Sequence, residues 1–443
     1  MIRGLIAVLA AALVVVACGG TPPPPNGGGG GTGDTDAGKV YMMSSQGNPI
    51  DEAQGMRDKV LSGFKGQATF DSAKTATQQV QQVLSEAKAG KGTVDVLGQL
   101  QGDMVTLQNA NTLEDLTPLL RKLEKSRTFD PALLKYGRVN GKQYFIPWMQ
   151  ATYMMVANKK ALRYLPKGAN IDDLSYDQLV QWSANMEEGT GEKKFGLPAN
   201  TAVSGGLIKR FIEGYMYPSY TGTEVAGFKS TSAVKGWQMV RRLWDHTNKQ
   251  SPTYSFMQEP LQSGDVWVAW DHQARLVDAI RDTANFVTFP APHGPKGLGY
   301  LPVLAGLAIP RNAPNQKGAE QLIDYLTRPA EQVRTGSVLD FTPVVTVPAS
   351  ANSDPVVKAE AAATSKMVHA KNAIRANLET GLGTQTNAFS DAYAQTFEAI
   401  VLRNQDIPST LSSQATVIQG LLDQAKAPCW PPDKPSSGTC QIQ

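Results

Sequence analysis

Short apolar runs alternate with helical stripes from Lys39 to Ala427, and that alternation restricts the chain to an α/β architecture with a largely parallel sheet. Lys39–Ser44 reads as the first strand, and Val94–Leu97 as the next. Between them Thr75–Lys88 reads as a helix: Val80, Val83, Leu84 and Ala87 share one face, and Gly90 closes it. Asn48-Pro49 suits a helix cap followed by proline at the first helical position, with Asp51 and Glu52 complementing the dipole in the first turn. Arg138–Pro147 reads as a hairpin, because Asn140-Gly141 supplies the positive φ angles of a tight turn. Ser175 and Gln178 form a capping box that opens a helix reaching Glu188. Tyr153–Ala157, Val266–Trp270, Phe286–Phe289 and Leu304–Ile309 read as further strands, and His272–Arg281 as a helix. Trp237 and Trp244 sit on a helical stripe and are expected in the core. The length exceeds what one core organises, so two domains are expected.

Ahead of this body, an apolar run, Leu5–Ala17, follows a single charge, Arg3. The run is shorter than the roughly 20 residues a membrane span needs, and residues 1–17 have the layout of a signal peptide. Val15-Val16-Ala17-Cys18 resembles the lipobox of bacterial lipoproteins. That resemblance implies cleavage before Cys18, acylation of its thiol, and a protein exported and lipid-anchored to the outer face of the cell membrane. Residues 18–38 then act as a tether. Pro22–Pro25 extend it, Gly27–Gly31 loosen it, and it has almost no apolar side chain to offset its ordering entropy.

The formal net charge is +3, and loss of Arg3 with the signal would leave +2. A nearly neutral chain with no basic, aromatic-interleaved stretch argues against a nucleic-acid partner. Apart from Cys18, only Cys429 and Cys440 remain, flanking Trp430, Pro431, Pro432 and Pro435. In an exported protein they read as one disulfide closing the tail 428–443, with two separate thiols as the alternative. No His lies near enough to make them a metal pair, and no metal site is expected. The four His form no HExxH motif, and no nucleophile elbow occurs. His272, between Asp271 and Arg275, is the one cluster suited to acid–base work, so an exported hydrolase or lyase is the alternative to a binding protein that needs no cofactor.

Four segments carry a family resemblance: Asp95-Val96-Leu97 with Leu113–Leu119 downstream; Val139–Trp148 running into Met155–Lys159; Gly264–Trp270; and Gly306–Pro310 with Gly318-Ala319-Glu320 and Leu322–Pro329. In this order, behind a lipobox, they resemble the extracellular solute-binding proteins of ABC importers, of the maltose- and sugar-binding type. The resemblance implies an α/β fold of two discontinuous lobes joined by hinge crossings. Lobe one would be 39–149 with 288–328, and lobe two 150–287 with 329–427. It implies a monomer that captures a carbohydrate between the lobes and hands it to the membrane permease, without chemistry. A polyamine or a glycerophosphate-like solute is the alternative cargo.

A sugar offers hydroxyls and flat apolar ring faces, so its site needs aromatic platforms among amides and carboxylates. Trp148 ends a strand beside the first expected crossing, followed by Gln150. Gln46, Gln99 and Gln101 follow strands whose C-terminal ends face the cleft in open α/β sheets. Trp270, Asp271 and Arg275 form the densest cluster, with Asp271 otherwise a helix cap. Tyr300 reads as a second platform, and Asp103 as a helix cap. Truncating Trp148 or Trp270 is expected to weaken binding at least about tenfold without unfolding the chain, since each platform would contribute mainly to the guest.

Overall fold

The structure, a computed structural model, describes residues 36–47, 50–202, 207–348 and 354–443. The signal-like run, Cys18, the tether up to Thr35 and the Asn48-Pro49 pair lie outside the described residues.

The chain lays down β1 (Lys39–Ser44), β2 (Gln67–Asp71), β3 (Val96–Leu100), the hairpin β4 (Arg138–Val139) and β5 (Lys142–Gln143), then β6 (Ile146–Ala151) and β7 (Tyr153–Asn158). After these come β8 (Phe195–Gly196), β9 (Val268–His272), β10 (Phe286–Phe289), β11 (Leu298–Tyr300), β12 (Val303–Ala308) and β13 (Ala373–Arg375). Two main sheets result, ordered β2-β1-β3-β12-β6 and β10-β7-β9-β8. In the first, β1 pairs parallel with β2 and β3, placing Met42 opposite both Phe70 and Val96, whereas β12 runs antiparallel to β3 and β6.

Local chemistry sets most of these elements. The helix Ala76–Ala89 starts at the Thr75–Gln78 capping box and stops at Gly90, whose φ of 66° needs no Cβ. Its Val80 and Val83 are buried against the first sheet. Ser175 and Gln178 open the helix Tyr176–Thr190 in the same way. Asn140 and Gly141 turn the β4–β5 hairpin with φ of 50° and 78°. Trp237 is buried and donates to the Tyr217 hydroxyl at 3.0 Å, and Trp244 packs edge-on against Phe397.

Three chain crossings join the two sheets. The first is Thr152, between β6 and β7. The second is Leu301-Pro302, between β11 and β12. The third comes after Val345, which bridges Phe129 of lobe one, and before the helix Pro355–Val368, which packs on β10. Thr152 and Gln273 tie the first two to the end of the helix Pro329–Leu339. The Thr152 hydroxyl reaches the Leu301 carbonyl at 3.3 Å. Gln273 accepts from the Thr152 N–H at 3.0 Å through Oε1 and donates to the Asp340 carbonyl at 3.3 Å through Nε2. One residue on each side of the hinge therefore holds the crossings in register.

Packing moves the expected lobe limits. β10 pairs with β7, so Thr288 and Phe289 belong to the second sheet rather than to lobe one. The helix Pro329–Leu339 packs on Met56–Val60 and on β6, so it goes with the first sheet rather than with lobe two. Its amphipathic stripe is as compatible with one lobe as with the other; only the partner surface decides. At the C-terminus, Cys429 and Cys440 are bonded. Within that closed tail, Asp433 accepts from the backbone N–H groups of Glu224 and Ala226 at 2.7 Å and of Val225 at 3.0 Å. Pro431 accepts from the Asn377 N–H at 2.9 Å, so the tail braces the segment that leads to Glu379.

Candidate functional site

Between the lobes lies a cavity of about 300 Å³, bordered by Gln46 and Leu100 from lobe one and Leu207, His272 and Arg275 from lobe two. It adjoins a wider groove of about 690 Å³ that shares Glu52, Phe256 and Arg275 with it. A separate groove of about 800 Å³, between Ser175–Asp177 and Lys235–Arg242, lies on lobe two and touches none of the nine expected site residues.

Glu52 of the helix Ile50–Gly55 meets Arg275, just after β9, at 2.5 Å across the cleft. The Arg275 guanidinium also stacks over Phe256, 4.9 Å from the ring centroid. This pair latches the mouth. Burial pushes the Glu52 carboxyl up to about 7, although Arg275 pulls it back.

The structure sorts the nine expected residues by what they touch. Gln46 borders the cavity, its amide donating to Ser45 at 3.0 Å. Gln99 is buried and donates to Gln79 at 2.8 Å, while its Oε1 has no partner among the described residues. Gln101 is buried, and neither end of its amide has a partner among the described residues. Trp148 is fully buried rather than an open platform. It fits because Gly98 lies beneath it, where a Cβ would stand 3.0 Å from the ring. Gln150 serves the hinge, donating to the Pro343 carbonyl at 3.2 Å. Trp270 is also fully buried, stacked on Tyr153 with centroids 4.8 Å apart and met edge-on by Phe211 and Tyr215. The indole N–H groups of Trp148 and Trp270 have no partner among the described residues.

Asp271 does not cap a helix. β9 runs two residues past its expected end, and the Asp271 carboxylate instead accepts from the backbone N–H groups of Met257 and His272 at 2.7 Å. Burial pushes it up to about 8. The cap is His272, which accepts from the Ala274 N–H at 3.3 Å and which burial, aided by Arg275, holds neutral down to about 3. Tyr300 is buried in the β11–β13 pair, away from the latch. Asp103 caps nothing either; it lies in the first turn of the helix Gln101–Asn109, beside Glu379 and Arg210 of lobe two.

Sequence reasoning missed Tyr153 as part of an aromatic box, Glu52 as a latch and Arg210 altogether. Arg210 Nη1 binds Glu213 and, at 2.7 Å, Glu379. Burial pushes Glu213 up to about 7; it also opposes the Glu379 charge, yet Arg210 and Lys209 outweigh it and hold Glu379 down at about 2. Glu379 is the carboxylate that carries the charge.

These shifts predict a pH dependence of stability. Glu52, Asp103, Glu213, Asp271 and Asp340 have folded values of about 6 to 8, above their unfolded ones. The folded chain therefore binds more protons between pH 5 and 8, so stability falls as pH rises through that window. His272 acts oppositely, removing stability as pH falls below about 6.5, but it is one group against five. Melting scans should show a midpoint at least about 3 °C higher at pH 5.5 than at pH 8. A higher midpoint at pH 8 would show that these carboxyls are solvated.

Two α/β lobes joined by three crossings, with a latched cleft between them, define a two-lobed binding protein. The sequence profile described as bacterial extracellular solute-binding protein matches residues 69–364, and the chain belongs to that family. No curated relative matches the chain. Among solved structures, the fold is similar to the GacH receptor of Streptomyces glaucescens, solved unliganded and with acarbose (TM-score 0.67, 16% identity, 87% of this chain and 98% of that one). It is similar also to maltose-bound MalE3 of T. maritima (0.66, 18%, 87% and 100%). A third is UgpB of Mycobacterium tuberculosis in complex with glycerophosphocholine (0.67, 17%, 87% and 98%).

Proposed function

We propose that the chain is the substrate-binding component of an ABC importer and that it captures a carbohydrate between its lobes. The observation that carries this reading is the cleft itself. Gln46, Glu52, His272 and Arg275 bring polar groups of both lobes to one cavity, and Gln101, which follows the cavity residue Leu100, has a buried amide with no partner among the described residues. Leaving such groups unmet costs about 1–3 kcal/mol each, which a hydroxyl-rich guest recovers. Because such a guest touches both lobes, it favours the arrangement in which they meet. Neighbours that bind acarbose and maltose support the same class.

The guest leaves unaltered. Both Asp271 oxygens accept backbone N–H groups, and His272, held down at about 3, is too weak a base to take a proton from a guest near neutral pH. Acylated Cys18 would hold the monomer at the outer face of the cell membrane, within reach of its permease. No helix among the described residues is long and apolar enough to cross a membrane. Glycerophosphocholine is the second reading, favoured by the likeness to UgpB.

A thermal-shift screen of the full chain against maltose, trehalose, myo-inositol, spermidine and glycerophosphocholine tests this. A bound guest at 100 times its dissociation constant adds about 2.7 kcal/mol, visible as a raised midpoint. A shift with a neutral sugar or polyol supports the proposal. A shift with spermidine or glycerophosphocholine alone, or product formed from any solute, overturns it.

A further inference from the structure

Charges from both lobes meet close in sequence to two residues that border the cavity. Leu100 and Leu207 border the cavity, one from each lobe. Gln101 and Asp103 follow Leu100 in the first turn of the helix Gln101–Asn109, and Arg210 follows Leu207 by about one helical turn. Gly102 sets how closely the lobes approach: a Cβ there would stand 2.1 Å from the Glu379 carbonyl oxygen. Arg210 commits a single nitrogen, Nη1, to Glu213 and Glu379. Its Nε and Nη2 make no hydrogen bond among the described residues, and the side chain keeps 14% of its exposure. Gln101, at 2% exposed, has neither amide atom satisfied among the described residues, and Glu213 Oε2 is likewise buried without a partner there.

We propose that Gln101, Asp103 and Arg210 form an inner subsite that reads two adjacent hydroxyls of a neutral sugar or polyol; this rests on the carbohydrate reading of the cleft. Each hydroxyl both donates and accepts. The free edge of the Arg210 fork offers two parallel donors to the two oxygens, and Asp103 accepts their protons. Gln101 supplies one donor and one acceptor. The charge balance then excludes anions. Asp103, Glu213 and Glu379 face Arg210 and Lys209, with Asp391 and Glu224 also close to the cluster. A ligand carboxylate or phosphate would have to compete with Glu379 for Arg210 and would push Asp103 and Glu213 further toward their neutral forms. Burial and the nearby Glu379 already push Asp103 up to about 7, which is the mark of a place that resists further negative charge.

Titration calorimetry on the full chain tests the subsite. The neutral probes are maltose, trehalose and myo-inositol, and the probes that carry a carboxylate or phosphate are glucuronate, glucose 6-phosphate and the zwitterion glycerophosphocholine. A neutral probe should bind, and Gln101→Ala and Asp103→Asn should each weaken it at least about tenfold with ligand-free melting within about 2 °C of wild type. Deoxy analogues of that probe should lose affinity for the wild type, and at least one should lose little further in Asp103→Asn, because the hydroxyl and its acceptor form one pair. Neutral binding that both variants leave unchanged overturns the subsite while the carbohydrate reading stands. Binding of glycerophosphocholine alone overturns both. Should Asp103→Asn fail to fold, the deoxy series on the wild type decides: unchanged affinity for every analogue overturns the subsite.

Discussion

Gly102→Val is expected to weaken ligand binding about 100-fold while leaving lobe one folded. At this glycine a Cβ would lie 2.1 Å from the Glu379 carbonyl oxygen, and the obstructing atom is backbone, so no rotamer change relieves the clash. Gly102 belongs to the helix that follows β3 in lobe one. Glu379 follows β13, which pairs with β11 of lobe two, and its carboxylate is held by Arg210 and Ser390. The two residues share no packing within either lobe. Opening the cleft at its three crossings therefore removes the conflict, and the variant pays only when the lobes meet. Overpacking costs about 1–3 kcal/mol, and a rigid backbone partner puts this site at the upper end, which is about two decades of affinity. Gly420→Ala is the control, since a Cβ there meets nothing within 4 Å. Calorimetry should show the loss for Gly102→Val alone, and small-angle scattering with saturating ligand should show a larger radius of gyration than wild type. Equal affinity in both glycine variants would mean that the Gly102–Glu379 contact is absent from the bound form.

Much of the fold was legible because the signals are local. The Thr75 and Ser175 caps, the Asn140-Gly141 turn and the apolar β1 depend on neighbours a few residues away, and each forms as read, whereas β3 runs Val96–Leu100 rather than Val94–Leu97. Elements whose fate depends on a distant partner were not legible. β9 extends to His272 because β7 lies alongside it and pairs Tyr153 with His272, a contact spanning more than a hundred residues. The helix Pro329–Leu339 has a stripe that either lobe would bury, and the surface of Met56–Val60 decides. The site divides in the same way. Topology puts residues after strand ends near the cleft, and Gln46 borders the cavity while Gln101 is buried one residue past Leu100, which borders it. Whether an aromatic is platform or core depends on what stacks on it, and Tyr153, Phe211 and Tyr215 enclose Trp270. Arg210 gave no signal, since its partners Glu213 and Glu379 become a cluster only when the chain returns through β13.

That enclosure changes what truncating Trp270 should do. An exposed platform loses binding and keeps its fold, but Trp270→Ala is expected to cost about 3–5 kcal/mol of stability as well, because a fully buried indole leaves a cavity its neighbours cannot fill. Tyr153 would lose its stacking partner, and Phe211 and Tyr215 the face they meet edge-on. Tyr215 has little freedom to move inward, since its hydroxyl accepts from the Tyr153 N–H at 3.1 Å and donates to the Tyr153 carbonyl at 3.0 Å, next to the first crossing. Binding then falls partly through a loosened hinge, and the alanine variant alone does not separate the two effects. Trp270→Phe does. It keeps an aromatic ring in the stack and deletes the indole N–H, which has no partner among the described residues. If that N–H meets a ligand oxygen, Trp270→Phe should bind at least about tenfold more weakly while losing under about 2 kcal/mol of stability, far less than Trp270→Ala. Denaturant titration and calorimetry on both variants give the comparison. A phenylalanine variant with wild-type affinity would make Trp270 a core residue and confine recognition to Gln101 and the charges beside it.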